Sequence, residues 1–220
     1  MRTLVIDSAT EACSVALFEH DQLIAGECLT LGRGHAERLV PMIASLPDKG
    51  RADVIAVDVG PGSFTGIRVG LAAARALAMA WGARLEGFES LSLVAAMALA
   101  RHPGSPVDVC MTGGHGEWFF RPFAADGSPL APLASLSPEE SVARASAPLA
   151  AGSQALPLRE SRPGITTLDL RPDAREFALL SPQALHADPR PSYGRAPDAK
   201  LPSAKAASGK LPSDKLPSAA

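Results

Sequence analysis

The chain is poor in the residues that would announce most chemistries. Aromatics make up only 5% of its 220 residues. The body therefore offers no aromatic stacking surface of the kind that grips single-stranded RNA. Packing must fall to Ala, Leu and Val, which is feasible at 46% hydrophobic content. The three cysteines, Cys13, Cys28 and Cys110, are far apart and form no CxxC. Neither a disulfide framework nor a zinc site is indicated. The five histidines, His20, His35, His102, His115 and His186, include no HxxxH pair, and Leu39 stands four residues after His35. No metal site is expected. A net charge of -2 excludes a strong field drawing the whole protein onto nucleic acid. No apolar run approaches the ~20 residues of a membrane span. The N-terminus enters a strand without the basic-then-apolar order of an export signal. The expected location is the cytoplasm, with no membrane contact.

What is present reads as α/β. Arg2–Ile6, Cys13–Phe18 and Leu23–Thr30 have strand patterns at spacings that predict an antiparallel meander. His35–Leu46 has helical spacing, interrupted by Pro41, which should kink it. Ala52–Val59 is a buried strand, and Arg68–Trp81 is a strong helix with a small face of Gly70, Ala73, Ala74 and Ala78. A short strand over Arg84–Phe88 and a helix over Ser90–Ala100 follow. The Pro/Gly/Ser cluster at 102–106 predicts a boundary. This divides the chain into a first lobe (1–101), a smaller second lobe (102–185) and a Pro/Ser/Ala/Lys-rich tail (186–220). Strands are expected at Val107–Met111 and Trp118–Phe123, and helices from Ser137 and over Ala174–Leu180. The tail repeats Lys-Leu-Pro-Ser at Lys200, Lys210 and Lys215, a composition that predicts weak order.

Three places could carry chemistry. Gly60–Gly70 (GPGSFTGIRVG) reads as a glycine turn from strand into helix, with Ser63 or Thr65 able to cap the helix. It lacks the Lys-Ser/Thr of a P-loop and the spacing of the dinucleotide fingerprint. Structural turn and anion or nucleotide cradle both remain open, the cradle using Asp7, Gly60, Gly62, Ser63, Thr65 and Gly66. Asp7–Thr10 is an Asp-led turn, either a simple Asx turn or the phosphate and metal corner of a phosphotransferase. Gly113–Glu117 reads as a hairpin tip, with a His115–Glu117 pair as the sharper alternative. No Ser/His/Asp set or GxSxG elbow supports a hydrolase, and no catalytic residue is singled out.

MRTLVIDSATEACSVALF, GRGHAERLVPMI and DVIAVDVGPGSFTGIRVGLAAARALA, in that order, resemble the TsaB (YeaZ) family. Tyr193–Lys200 (YGRAPDAK) resembles its C-terminal signature. The resemblance implies an actin-like ATPase (ASKHA, RNase H-like) fold, with two lobes that are each a mixed sheet flanked by helices. It implies a subunit, not catalytic alone, of the machinery that makes threonylcarbamoyladenosine at adenosine 37 of tRNAs reading ANN codons. The implied partners are a TsaD-type catalytic subunit, a TsaE-type ATPase and, through the complex, tRNA. The implied interface is His35, Leu39, Met42 and Ile43 on the first helix, with Arg68, Leu71, Ala74, Arg75 and Ala78 on the second. The small helix face would serve a second copy as readily, giving a homodimer. No cofactor is implied beyond ATP or ADP shared with the partner complex. Relatives commonly carry Asp-Ala-Arg where this chain has Met111–His115. The rivals are an actin-like ATPase or kinase acting alone through Asp7, and a glycoprotease-like peptidase.

Overall fold

A computed structural model describes residues 1–194. Residues 195–220, which hold the Lys-Leu-Pro-Ser repeats and most of the Tyr193–Lys200 run, lie outside the described residues. The first sheet comprises β1 (Arg2–Asp7), β2 (Ala12–Glu19), β3 (Gln22–Thr30), β4 (Val54–Asp58) and β5 (Arg84–Phe88). Its order is β3-β2-β1-β4-β5. The meander of β1, β2 and β3 is antiparallel, and β4 and β5 add in parallel. Every residue of β4 is buried, as expected for a parallel strand covered on both faces. The helices of this part are α1 (His35–Ser45), α2 (Phe64–Trp81) and α3 (Ser90–Arg101). Pro41 lies inside α1 on its exposed side.

The second sheet contains β6 (Val107–Thr112), β7 (Trp118–Phe123), β8 (Ala134–Leu136), β9 (Leu149–Ala151) and β10 (Thr166–Leu168), in the order β10-β9-β6-β7-β8. Helices α4 (Pro138–Arg144) and α5 (Ala155–Ser161) cover it. A capping box between Ser137 and Glu140, with Pro138 in the first turn, starts α4. Strands β8, β9 and β10 have three residues each, too few for alternation to register in the sequence. Ala174–Leu179 is 3₁₀ rather than α-helical.

Three apolar clusters set the layering. One lies between the first sheet and α1/α2 and includes Leu4, Ile6, Leu39 and Ile67. Another, with Cys110, Trp118 and Leu158, lies under α4/α5. The largest joins Val5, Ala16 and Phe88 of the first sheet, through α3 and Ala174, to Val107, Phe119 and Phe123 of the second. The result is helix, sheet, helix, sheet, helix. This is the two-lobed, actin-like (RNase H-like) fold that the resemblance implies, a mixed sheet in each lobe.

The stretch 186–194 is not the start of a loose tail, as its composition suggests. His186 and Gly87 exchange both backbone hydrogen bonds at 2.8 Å beside β5. The Ser192 N–H donates to the Val59 carbonyl at 2.7 Å. Proline-rich chain needs few donors to lie along a sheet edge, so composition and order are compatible here.

Candidate functional site

The glycine run links β4 to α2. The helix begins at Phe64, four residues before its apolar spacing suggests, because the Ser63 hydroxyl accepts from the Gly66 N–H at 3.3 Å and caps it. Gly82, left-handed at φ 65, ends it. The glycines allow backbone to lie on backbone. A Cβ at Gly62 would overlap the Ala9 carbonyl, one at Gly66 the Ser8 carbonyl, and one at Gly60 the Ser192 carbonyl. The Gly60–Pro61 peptide is cis.

These contacts bear on the anion-cradle reading. The turn's N–H groups at Gly60, Ser63 and Gly66 donate to Asp58, the Ala9 carbonyl and Ser63 respectively. A cradle needs donors pointing outward, and these three are spent within the chain. Thr65 is exposed on the first turn of α2. Asp7 forms the Asx turn, its Oδ1 accepting from the Ala9 N–H at 2.9 Å. The Asp7 carboxyl is fully buried, out of contact with solvent.

Asp58 is a residue that the sequence reading passed over. It ends β4 one position beyond the Ile6–Val57 pair, beside Asp7 at the end of β1. Both side chains are buried. Asp58 Oδ1 accepts from the Gly60 N–H at 2.7 Å, and the Ser90 hydroxyl lies 2.9 and 2.7 Å from the two Asp58 oxygens. Burial drives both carboxyls upward, Asp7 to about 7, and the neighbouring Asp7 charge raises Asp58 further. The available signal was an acid closing an otherwise apolar, buried strand.

The expected interface residues divide by burial. Leu39, Met42 and Ile43 on α1, and Leu71 and Ala74 on α2, are buried in the chain's own core. Gly70 faces Ser8, Val57 and Ile6. The small face of α2 is thus turned onto its own sheet rather than outward, because only small residues let the helix lie that close to β1 and β4. His35 is half-buried, its Nε2 2.8 Å from the Thr10 carbonyl. Arg68 donates to the Tyr193 hydroxyl at 3.0 Å and lies 3.5 Å above the Phe64 ring. Arg75 donates to the Pro189 carbonyl at 3.0 Å, and Ala78 is half-buried. The sequence reading missed the outward residues of these two packed helices, above all Val40, 61% exposed, and Met79, 85% exposed. Large apolar side chains at such exposure on adjacent helices were the signal.

At the Gly113–Glu117 turn, Gly113 and Glu117 close a hairpin tip through backbone bonds. Glu117 accepts from the Ser135 hydroxyl at 2.6 Å. Burial holds the Cys13 and Cys28 thiols up at about 12 and about 11, so both are neutral rather than nucleophilic thiolates at pH 7. Among the described residues, no group of three or more His, Cys, Asp or Glu is placed to hold a metal ion. No helix there is long and apolar enough to cross a membrane.

A solved structure from Pseudomonas aeruginosa, described as an uncharacterized protein with similarity to peptidase YEAZ, superposes with a TM-score of 0.74 at 26% identity. The match covers 88% of this chain and 99% of that one. YeaZ from the same organism superposes at 0.69 with 27% identity, over 81% of this chain and 89% of that one. The TsaB protein of Escherichia coli is 33% identical over 131 residues, 57% of this chain and 56% of that protein. The chain is similar to the TsaB (YeaZ) proteins. The Haemophilus influenzae TsaB is 34% identical over 126 residues, 53% of this chain and 51% of its own length. The chain thus spans about half the length of the curated relatives it matches. Residues 30–128 also match the family model for TsaD, tRNA N6-adenosine threonylcarbamoyltransferase. That stretch contains α1, the glycine turn and α2.

Proposed function

We propose that this chain is a non-catalytic subunit in the synthesis of threonylcarbamoyladenosine at adenosine 37 of tRNA, and that it acts by pairing with a TsaD-type catalytic subunit through α1 and α2. One observation carries the reading: Val40 and Met79 stand exposed on two helices packed against each other. Exposed apolar groups on a rigid helix pair are what a protein partner covers. The buried members of the expected interface, Leu39, Met42, Ile43, Leu71 and Ala74, hold the two helices in position. The outward residues make the contact, with Arg68 and Arg75 at its edge. A homodimer would use the same face when the partner is absent, and a TsaE-type ATPase and the tRNA would join through the complex, in the cytoplasm.

The TsaB names of the relatives support the pathway, and the family model is that of the proposed partner's own family. The rival ATPase reading needs Asp7 open to solvent and outward donors at the glycine turn, whereas Asp7 is sealed and the donors at Gly60, Ser63 and Gly66 are spent. Complementation tests the proposal. In cells lacking their own TsaB, this chain restores threonylcarbamoyladenosine in tRNA, and the Met79→Asp variant does not. Restoration by that variant as complete as by the parent would refute the proposed face.

A further inference from the structure

Asp7 and Asp58 lie where two parallel strands end side by side, and the described residues supply too few protons to their four oxygens. Ala9 donates to Asp7 Oδ1, and Gly60 donates to Asp58 Oδ1. The Ser90 hydroxyl has one hydrogen but lies within 3.0 Å of three acceptors, both Asp58 oxygens and the Pro61 carbonyl. Asp7 Oδ2 has no donor among the described residues. Two bare carboxylates in this position would be an uncompensated buried charge pair, which proteins avoid by keeping a proton. A proton on Asp58 gives Asp7 Oδ2 its missing donor.

The cover over the pair is built from the same atoms. Gly60, whose N–H binds Asp58, is pressed from outside by the Ser192 carbonyl. Ser192 is tied to Val59, Pro189 packs on Gly87, and Tyr193 stacks on Phe64 with ring centroids 4.9 Å apart. This strap, residues 186–194, also holds Arg68 and Arg75 of α2.

We propose that Asp7 and Asp58 form a proton-sharing latch: with the proton held between them the glycine turn and the strap stay closed against the strand ends, and its loss releases the strap and frees Arg68 and Arg75. Among the described residues, the other charged and titratable groups around the pair leave it without a compensating cation. Glu11, in the β1–β2 turn, and Asp173, before the 3₁₀ turn, both raise Asp7. Each is already paired, with Arg171 and Arg175 respectively. Cys13, on β2, is a neutral thiol, and α3 contributes the Ser90 hydroxyl.

The sign follows from the release of a proton on opening. An opened carboxyl titrates in its ordinary acidic range, while burial in the closed pair pushes Asp7 up to about 7 and holds Asp58 well above its ordinary range. Opening therefore becomes easier as pH rises from 5 to 7. Native-state amide hydrogen exchange on the chain reads this directly. After correction for intrinsic exchange, protection of the Gly60 and Ser192 amides should fall about tenfold per pH unit over that range for each proton released. The Gly152 amide, bonded to Leu168 in the second sheet, should not follow. In Asp58→Asn the amide is a permanent donor to Asp7, so protection at pH 7 should rise and the slope vanish. A flat wild-type profile, or the same slope in Asp58→Asn, overturns the latch. Should Asp58→Asn fail to fold, Asp7→Asn must show the flattened slope. The infrared carbonyl band of a protonated carboxylic acid must also be present in the wild type at pH 7 and lost in that variant, and its absence from the wild type overturns the latch equally. The latch does not rest on the proposed function, and neither readout needs a partner or tRNA.

Discussion

Gly66 sits inside a helix with no positive φ, where alanine ordinarily stabilises by about 1 kcal/mol. Here the added methyl meets the Ser8 carbonyl, and a backbone atom cannot step aside as a flexible side chain can. The expected sign is reversed: Gly66→Ala destabilises by about 2–4 kcal/mol, a range typical of overpacked or strained sites, measured by denaturant unfolding. Unchanged or higher stability would mean that the β1 turn and α2 do not touch there. Ser63→Ala, which deletes only the cap, should cost about 1 kcal/mol in the same assay. At this scale the sequence showed that a turn was needed at 60–66, but not what pressed on it. Ser8, Ala9 and Ser192 are distant in the chain, and no local pattern reports a tertiary backbone contact.

Between elements, the decisive fact is how α1 and α2 divide their faces. The hydrophobic spacing of both helices was plain in the sequence, and so were the strands of the first sheet. Spacing marks an apolar stripe without saying whether the chain's own sheet or another protein covers it. Here the sheet covers Leu39, Ile43, Leu71 and Ala74, while Val40 and Met79 remain outside. The two sets should therefore behave differently. Ile43→Ala should lower stability by about 2–5 kcal/mol through the cavity it leaves. Val40→Asp should leave stability within about 0.5 kcal/mol, as surface changes do, and abolish co-purification with the TsaD-type subunit. If both variants lose stability alike, Val40 is structural and the face is misassigned. The strap is an element that composition hid: Pro189 and Ser192 look like linker residues, yet Pro189 packs against Gly87 of β5 and Ser192 bonds Val59 just beyond β4. Tyr193→Ala removes a ring contact and the hydroxyl that receives Arg68. It should cost about 1–2 kcal/mol and loosen the Ser192 amide in hydrogen exchange.

For the whole molecule, the largest core joins the two sheets rather than filling each lobe separately. Interlobe ion pairs reinforce the junction, Glu11 with Arg171 at 3.1 Å and Glu89 with Arg121. The halves are therefore expected to unfold together in a single calorimetric transition, since neither keeps a complete core without the other. Second-lobe strands of three residues escaped the sequence because they draw their stability from tertiary packing, β9 and β10 on the shared core and β8 on the cluster under α4 and α5, not from local propensity. A buried acid pair closed to solvent, with exposed apolar residues on two packed helices, suits a subunit that works through a partner. The most direct test is reconstitution of tRNA threonylcarbamoylation from purified components, with and without this chain. Threonylcarbamoyladenosine should form at adenosine 37 only when the chain is present, and Asp7→Asn, if folded, should still support it. Modification at full rate without the chain would contradict the account.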